Sequence, residues 1–226
     1  MFDLALAPYR LSGRVYGALL NHAPQLAALG DAVHQAPHKA PPRAPVLQIK
    51  PRNTLVGDGA AVVVPAGVEA LEVGATMALV IGSTARRVAE GAALRHVAGY
   101  LVAMDLCVPH ASHYRPAARE RARDGFCPLG TAQMVPASAV PEPNDLRVRV
   151  FIDDALAQDT DTAQRVRNVA RLICDVSEFM TLHAGDVLLL GAAHGAPLAR
   201  AGQSVAVAIA GIGRLNIRLA AQEALA

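Results

Sequence analysis

The stretch VEALEVGATMALVI, residues 68–81, decides the fold class of this chain. Its apolar residues fall into two runs on either side of Gly74, and neither run shows the 3.6-residue spacing of an amphipathic helix. Short runs rich in Val, Leu and Ile are typical of buried strands. The stretch therefore predicts two strands, Val68–Val73 and Met77–Ile81, separated by Gly74.

Similar runs lie on both sides of this stretch. They predict strands at Val15–Leu20, Val46–Ile49, Ala61–Val64, Tyr100–Val108, Val187–Leu190 and Val205–Ile217, and a hairpin over Leu146–Gln158 that turns at Asp153 and Asp154. Helices are predicted at Pro24–Gln35, Glu90–Val97 and Asp161–Leu182. About ten strands against three helices, without strict alternation, indicate a β-rich α+β domain rather than a doubly wound sheet.

The composition favours one folded domain. The chain has 226 residues, of which 53% are hydrophobic and 18% charged, so it can bury a substantial core and is not disordered. We expect an N-terminal lead-in at residues 1–13 and a single domain at 14–226. The net charge of +2 and the absence of a basic block argue against nucleic acid as a partner.

The location and assembly of the chain are expectations from the same composition. The first residues lack the basic and apolar pattern of a signal peptide, and no apolar run reaches the length of a membrane helix. Three cysteines cannot pair completely, which suggests reduced thiols and a cytoplasmic protein. High apolar content with few charges predicts that another subunit covers part of the surface, in at least a dimer.

Two charged residues stand at the ends of apolar strands. Lys50 follows the strand Val46–Ile49 and precedes Pro51, where its ammonium group could bind a carboxylate or an enolate oxygen. A surface lysine with a packed aliphatic stem would explain the same position. Asp105 ends the run that starts at Tyr100, and a buried carboxylate at that point needs a partner or a cation.

Several segments resemble, in order, motifs of the fumarylacetoacetate hydrolase superfamily. They are QIKPRNTLVGDG (48–59), ALVIG (78–82), VAGY (97–100), RDGFCPLG (123–130) and SEFMTLHAGDV (177–187). Within the superfamily, LNH (20–22), KAPP (39–42) and YRPA (114–117) are similar to the N-terminal half of isomerase/decarboxylases of homoprotocatechuate catabolism, the 4-hydroxyphenylacetate route. The resemblance implies a mixed β-sandwich roll with few helices.

The resemblance also implies a reaction. Members of this superfamily hold a divalent cation, usually Mg²⁺, with a Glu-x-Glu pair and a downstream aspartate. The metal chelates the 2-oxo acid end of the substrate and stabilises an enolate, while a His/Glu pair on a lid moves protons. The substrates implied are 2-oxo dicarboxylic or tricarboxylic acids such as 5-carboxymethyl-2-oxo-hex-3-ene-1,7-dioate.

The chain departs from the metal part of this pattern. The Glu-x-Glu pair falls on Gly74 and Thr76, which leaves Asp105 as the matching ligand. Glu72 lies two residues too early but on the same face of a strand. Asp105 and Glu72 are therefore the candidate metal ligands. One carboxylate binds Mg²⁺ weakly without further oxygen ligands.

The proton-transfer part also differs. The lid histidine and glutamate fall on Gln25 and Ala28, and the lysine that precedes the Asp-Gly turn in the family is Arg121. Lys50 and Asp124 match the family pattern. The candidate catalytic residues are therefore Lys50, Arg121 and Asp124.

Three functions remain open on this evidence. The chain is a subunit of an isomerase/decarboxylase, or a non-catalytic partner that stabilises a sister subunit bearing Glu-x-Glu, or a free-standing binder of small dicarboxylates. The first two share a role in aromatic catabolism and imply a homodimer or a hetero-oligomer with the sister chain. The loss of metal ligands together with proton carriers argues that the chain does not run the standard chemistry by itself.

Overall fold

The computed structural model of the chain describes residues 5–6, 9–36, 39–110, 117–130 and 134–222. Residues 114–116 of the YRPA motif lie outside these ranges. The strands are, in chain order, β1 (Ala5–Leu6), β2 (Tyr9–Arg10), β3 (Val15–Leu19), β4 (Val46–Lys50), β5 (Leu55–Val56), β6 (Ala60–Val64), β7 (Leu71–Ile81), β8 (Val97–Cys107), β9 (Cys127–Pro128), β10 (Val135–Pro136), β11 (Arg147–Ile152), β12 (Ala155–Asp161), β13 (Val187–Leu189), β14 (Leu198–Ala199), β15 (Ser204–Ile209) and β16 (Gly213–Ala221).

Two mixed sheets contain most of these strands. The larger sheet has seven strands, in the order β10-β8-β7-β13-β3-β4 with β14 on the edge of β7, and its only parallel pair among the described strands joins β13 to β3. The smaller sheet has five strands in the order β12-β11-β15-β16-β6. Short ladders join β1 to β2 and β5 to β9. The β-rich α+β fold predicted from the sequence is confirmed.

Helices are few and short. The α-helices are α1 (Ala23–Ala28), α2 (Glu90–Ala93), α3 (Ala118–Arg121) and α4 (Val169–Phe179), and 3₁₀ turns lie at Gly30–His34, Arg52–Thr54, Leu94–His96 and Ala137–Ala139. Helix α4 begins where the Asn168 side chain accepts a hydrogen bond from the Arg171 amide. Within the described part of the chain, every helix is too short or too polar to span a lipid bilayer.

The main core fills the space between the two sheets. Strand β7 contributes alternate side chains from Leu71 to Ile81, β8 contributes those from Tyr100 to Leu106, and the smaller sheet contributes the alternate residues of β11, β15 and β16. The other face of the larger sheet carries a second apolar cluster that includes Ala78, Leu101 and Leu189. Because β7 and β8 are covered on both faces, their sequences are apolar without strict alternation.

Several predicted boundaries were wrong. The two strands expected around Gly74 are one continuous strand, β7, because Gly74 pairs in register with Asp105 without breaking the ladder. The strand expected at Val205–Ile217 is the hairpin β15–β16, which turns through Ala210–Ile212. Each predicted helix is shorter than expected, since 3₁₀ turns or loops replace its ends.

Other predicted details hold. The hairpin β11–β12 turns at Asp153 and Asp154, which both have positive φ angles, as a tight two-residue turn requires. The expected lead-in includes the ladder β1–β2 and Leu11, which is buried in the second apolar cluster. The division into a lead-in at 1–13 and one domain at 14–226 stays a prediction.

Candidate active site

Asp105 lies near the end of β8, directly opposite Gly74 of β7. Because side chains alternate along a strand, Asp105 projects from the same face as Leu101 and Ala103, which belong to the second apolar cluster. Its side chain is only 7% exposed. A carboxylate buried at this depth requires charged or hydrogen-bonding partners.

Lys50 supplies the first of these partners. It is the last residue of β4, and its side chain is fully buried, with Nζ 2.5 Å from Oδ1 of Asp105. This contact is a close, buried ion pair. Nζ also donates to the carbonyl of Arg121, at 3.2 Å. The burial excludes a solvent-exposed surface lysine, which was the alternative left open by the sequence.

Two further side chains donate to the other oxygen of Asp105. The guanidinium Nη1 of Arg121, at the end of α3, lies 3.1 Å from Oδ2. The amide Nε2 of Gln48 lies 2.5 Å from the same oxygen. Gln48 passes over Gly17, where an added Cβ would come within 3.0 Å of Nε2. The absence of a side chain at Gly17 therefore lets Gln48 reach Asp105 across the sheet.

The cluster of Gln48, Lys50, Asp105 and Arg121 has an excess of positive charge. One carboxylate faces an ammonium and a guanidinium group, which leaves one positive charge uncompensated. The Arg121 side chain is 23% exposed, so the surplus charge faces the solvent side of the cluster. Its described hydrogen bonds to side chains use one of five N–H groups. The arrangement is chemically suited to an incoming carboxylate, which accepts bidentate hydrogen bonds from a guanidinium.

The positions expected for Glu-x-Glu are unsuited to long acidic side chains. A Cβ at Gly74 would lie 2.7 Å from the carbonyl oxygen of Asp105 and 3.0 Å from Cβ of Ala192. Thr76 is buried, and its hydroxyl accepts a hydrogen bond from the amide of Gly191 at 3.0 Å. Strands β7 and β8 and residues 191–192 therefore fill the space that the carboxylate ligands of a Glu-x-Glu pair would occupy.

The residues present do not fit a divalent cation. Both oxygens of Asp105 already face a positive group, and a further cation would be repelled by Lys50 and Arg121. Glu72 is half-buried opposite Cys107, two residue pairs further along the ladder. The described residues contain no group of three His, Cys, Asp or Glu that could hold a metal ion. The assignment of Asp105 and Glu72 as metal ligands stays a prediction, and this geometry does not support it.

Asp124 lies apart from the cluster. It is exposed, and its carboxylate accepts a hydrogen bond from Nδ2 of Asn53 at 2.7 Å. Asn53 also bonds the carbonyl of Ala122 and, through its own carbonyl, the amide of Gly125. These contacts tie the turn after Lys50 to the loop after Arg121. Asp124 is therefore linked to this connection through Asn53, and its catalytic role stays a prediction.

Groups able to move protons are scarce at this face of the sheet. Gln25 and Ala28 occur on α1, as expected from the lid pattern, and neither is an acid or a base. Burial raises the pKa of both Cys107 and Cys127 to about 12, so these thiols are protonated at neutral pH and are not nucleophiles. Among the described residues of the cluster, the sole carboxylate is the one neutralised by Lys50 and Arg121.

Gln48 is the member of the cluster that sequence analysis missed. Its signal was available, since residues two apart on a strand project from the same face, and Lys50 was already a candidate. Lys50, Arg121 and Asp105 were each singled out. Their mutual contact was not predicted, because β4, β8 and α3 are brought together by the tertiary structure.

A family model described as "Fumarylacetoacetate (FAA) hydrolase C-terminal" matches residues 14–220. The 4-hydroxyphenylacetate degradation bifunctional isomerase/decarboxylase of Salmonella dublin is 38% identical over 216 residues, which cover 96% of this chain and 49% of the relative. A mitochondrial oxaloacetate tautomerase, FAHD1 of Oryza sativa subsp. japonica, is 32% identical over 212 residues, which cover 89% of this chain and 86% of that relative. The chain spans about half the length of the bifunctional relatives it matches.

Solved structures agree with this fold. The 5-carboxymethyl-2-hydroxymuconate delta-isomerase of Mycobacterium smegmatis superimposes with a TM-score of 0.79 at 25% identity, covering 98% of this chain and 83% of the other. The fumarylpyruvate hydrolase of Pseudomonas aeruginosa, solved with Mn²⁺ and pyruvate, has a TM-score of 0.81 at 23% identity, covering 95% and 91%. The second likeness concerns the fold alone.

Proposed function

This chain belongs to the fumarylacetoacetate hydrolase family, and from that premise we propose that it is a subunit of an isomerase/decarboxylase for 2-oxo dicarboxylic acids in 4-hydroxyphenylacetate catabolism. The proposal rests on identities of 38–41% to bifunctional enzymes of that name. A resemblance to 5-carboxymethyl-2-hydroxymuconate delta-isomerase, the fold neighbour from Mycobacterium smegmatis, supports the same substrate class. The expected location is the cytoplasm.

The observation that carries the mechanism is the buried contact between Lys50 and Asp105. We propose that the two cations at Asp105 bind a substrate carboxylate directly, in place of a divalent metal. Arg121, on the solvent side, receives the carboxylate through its remaining N–H groups. Lys50 is held by Asp105 and by the carbonyl of Arg121, so its charge is fixed in place before substrate arrives.

The same charges favour the chemistry of the family. In a 3-ene-2-oxo acid, loss of carbon dioxide from the carbon next to the double bond, or a shift of that double bond, places negative charge on the 2-oxo oxygen. Fixed cations within a water-poor site stabilise such charge without reorganisation of the solvent. Gln48 keeps Asp105 oriented towards Lys50, so that its carboxylate does not turn towards the incoming anion.

A second candidate is favoured by the lack of a proton carrier in the cluster. In this form the chain binds substrate or stabilises the assembly, while a homologous sister chain with an intact Glu-x-Glu supplies the metal and the proton transfer. The edge of the larger sheet offers a surface for such a partner, because Ile49 on β4 is 71% exposed. A homodimer would use the same edge.

Turnover of 5-carboxymethyl-2-oxo-hex-3-ene-1,7-dioate tests the proposal. The purified chain is assayed with Mg²⁺ and with a chelator, alone and after addition of a family chain that carries Glu-x-Glu. Chelator-resistant turnover by the chain alone supports catalysis by Lys50 and Arg121. Turnover that appears only with the sister chain supports the partner role. Chelator-sensitive turnover by the chain alone, or no turnover in any mixture, contradicts the proposal.

A further inference from the structure

A second buried cation lies outside the cluster at Asp105. His22 and Arg165 face each other in an isolated antiparallel β-bridge, where the amide of Ala23 donates to the carbonyl of Gln164 and the amide of Val166 donates to that of Asn21. Directly opposed residues of such a bridge project from the same side, with their side chains in reach of each other. Both residues are buried, with exposures of 5% and 9%.

The Arg165 guanidinium lacks the partners that its burial demands. Its Nε and Nη1 atoms have no hydrogen-bond acceptor among the described residues. The carboxylate of Asp161 accepts the amides of Ala163 and Gln164 at Oδ1, and it acts on Arg165 as an attractive charge. Burial lowers the pKa of Arg165 to about 10, so the group is still charged at neutral pH. A buried, charged and unpaired guanidinium is destabilising on its own, and a bound anion would supply the missing counter-charge.

His22 adds a third unpaired donor. Its Nδ1 accepts a hydrogen bond from the amide of His194 at 3.0 Å, which places the ring proton on Nε2. Burial first, and the charge of Arg165 second, lower the pKa of His22, so the ring is neutral at pH 7. Nε2 has no acceptor among the residues that the structure describes. Three N–H groups on two adjacent side chains therefore have nothing to donate to.

The segment after β13 connects this pair to Asp105. The amide of Gly191 bonds Thr76, Ala192 packs against Gly74 opposite Asp105, and His194 bonds His22. A single residue, Ala193, lies between Ala192 and His194. With the two contacts at its ends, this segment places Gly74 and His22 within about 14 Å of each other. An extended aliphatic dicarboxylate and an arginine side chain are together long enough to cover this distance.

We propose that Arg165 and His22 form a second carboxylate-binding subsite, which receives the far carboxylate of a dicarboxylate whose near carboxylate is held by Lys50 and Arg121. This inference rests on the proposed function, since it assumes that the first carboxylate binds at the Asp105 cluster. The carboxylate would accept two hydrogen bonds from Nε and Nη1 of Arg165 and one from Nε2 of His22. The subsite makes the chain selective for dicarboxylates over monocarboxylates.

Calorimetric titration with heptanedioate and with heptanoate tests the subsite, because the two probes differ by one carboxylate. We expect the unmodified chain to bind heptanedioate at least about tenfold more tightly, the value of hydrogen bonds to a charged group. Arg165→Gln abolishes this preference and leaves the dissociation constant of heptanoate unchanged. Arg149→Gln is the matched control. The Nε of Arg149 also lacks a hydrogen bond, but it lies 3.6 Å from the carboxylate of Asp159 on the smaller sheet, so the variant should change neither value.

The variants separate this proposal from the previous one. If the cluster at Asp105 is the primary site, Lys50→Met weakens the binding of both probes. If Lys50→Met weakens the binding of neither probe, the proposed function is refuted, independently of the result for Arg165→Gln. If Lys50→Met weakens both and Arg165→Gln keeps the dicarboxylate preference, the subsite alone is refuted. No binding of either probe at millimolar concentration refutes both. Arg165→Gln removes an unpaired buried charge, so it should fold at least as stably as the unmodified chain, which thermal unfolding verifies.

Discussion

The ammonium group of Lys50 lies 2.5 Å from Oδ1 of Asp105, and both side chains are buried on one face of the larger sheet. A lysine at the end of an edge strand normally extends into water. Here it is buried, and its ammonium group also donates to the carbonyl of Arg121 at the end of α3. Together with Arg121, the pair places two positive groups at the carboxylate that the family pattern assigns to a metal.

Asp105→Asn should lower the free energy of unfolding by about 3–5 kcal/mol, because it leaves the buried Lys50 charge without its counter-ion. Urea unfolding measures the loss. The double variant with Lys50→Met should be less destabilised than the sum of the two single variants, since the charges are removed together. The control Asp159→Asn breaks an exposed pair with Arg147 and should cost much less. Equal losses for the two aspartates would contradict a buried pair.

Gly74→Ala should destabilise the chain by about 1–3 kcal/mol, because the new methyl group would press on the backbone of β8 at Asp105. Gly91 in α2 is the control. An added Cβ at Gly91 meets nothing within 4 Å, so Gly91→Ala should stabilise the helix by about 0.5–1 kcal/mol. Thermal or urea unfolding of both variants tests the prediction. A neutral Gly74→Ala would mean that the strands at Asp105 are less closely packed than described.

The stability of the chain should fall as the pH is lowered from about 6.5, the ordinary pKa of histidine. The pKa of His22 is lower in the folded chain than in the unfolded chain. Between these two pKa values the unfolded chain binds more protons, so the free energy of unfolding decreases as the pH falls. His22→Gln should flatten this part of the curve of unfolding free energy against pH, whereas replacement of the exposed His34 should not. An unchanged slope in His22→Gln would show that His22 is not held neutral.

The chain should be at least a dimer in solution. Ile49 is exposed on the edge strand β4, where a partner strand or a covering loop would bury it. Light scattering at micromolar concentration measures the mass, and Ile49→Lys should shift the equilibrium towards the monomer. Leu156→Lys serves as the control, because Leu156 is also exposed but lies on the smaller sheet. A monomer under these conditions contradicts the expectation.

Much of the fold followed from local patterns, and the errors have a common cause. Apolar runs located the main strands, and paired aspartates located the hairpin turn at residues 153–154. Gly74 was interpreted as a break, yet it lies in mid-strand because the facing backbone leaves no room for a Cβ. The strand predicted at Val205–Ile217 runs across the turn of the hairpin β15–β16, although Gly211 and Gly213 are typical turn residues. Both errors therefore arise at glycines, which occur in mid-strand as well as in turns.

The site was predictable residue by residue but not as an arrangement. Lys50 and Asp105 stood out as charges at the ends of apolar strands, and Arg121 came from the family pattern. Their convergence depends on the order of strands in the larger sheet, which no local signal contains. The pair of His22 and Arg165 was missed for the same reason, because the two residues are joined by a single bridge between distant loops.

The central claim is that this site binds a 2-oxo dicarboxylate through Lys50 and Arg121 without a metal ion. Calorimetric titration of the purified chain with 2-oxoheptanedioate, once in excess EDTA and once in excess Mg²⁺, tests it most directly. We predict the same dissociation constant in both buffers and a loss of at least about tenfold in affinity for Lys50→Met. Binding that occurs only in the presence of Mg²⁺ would contradict the account.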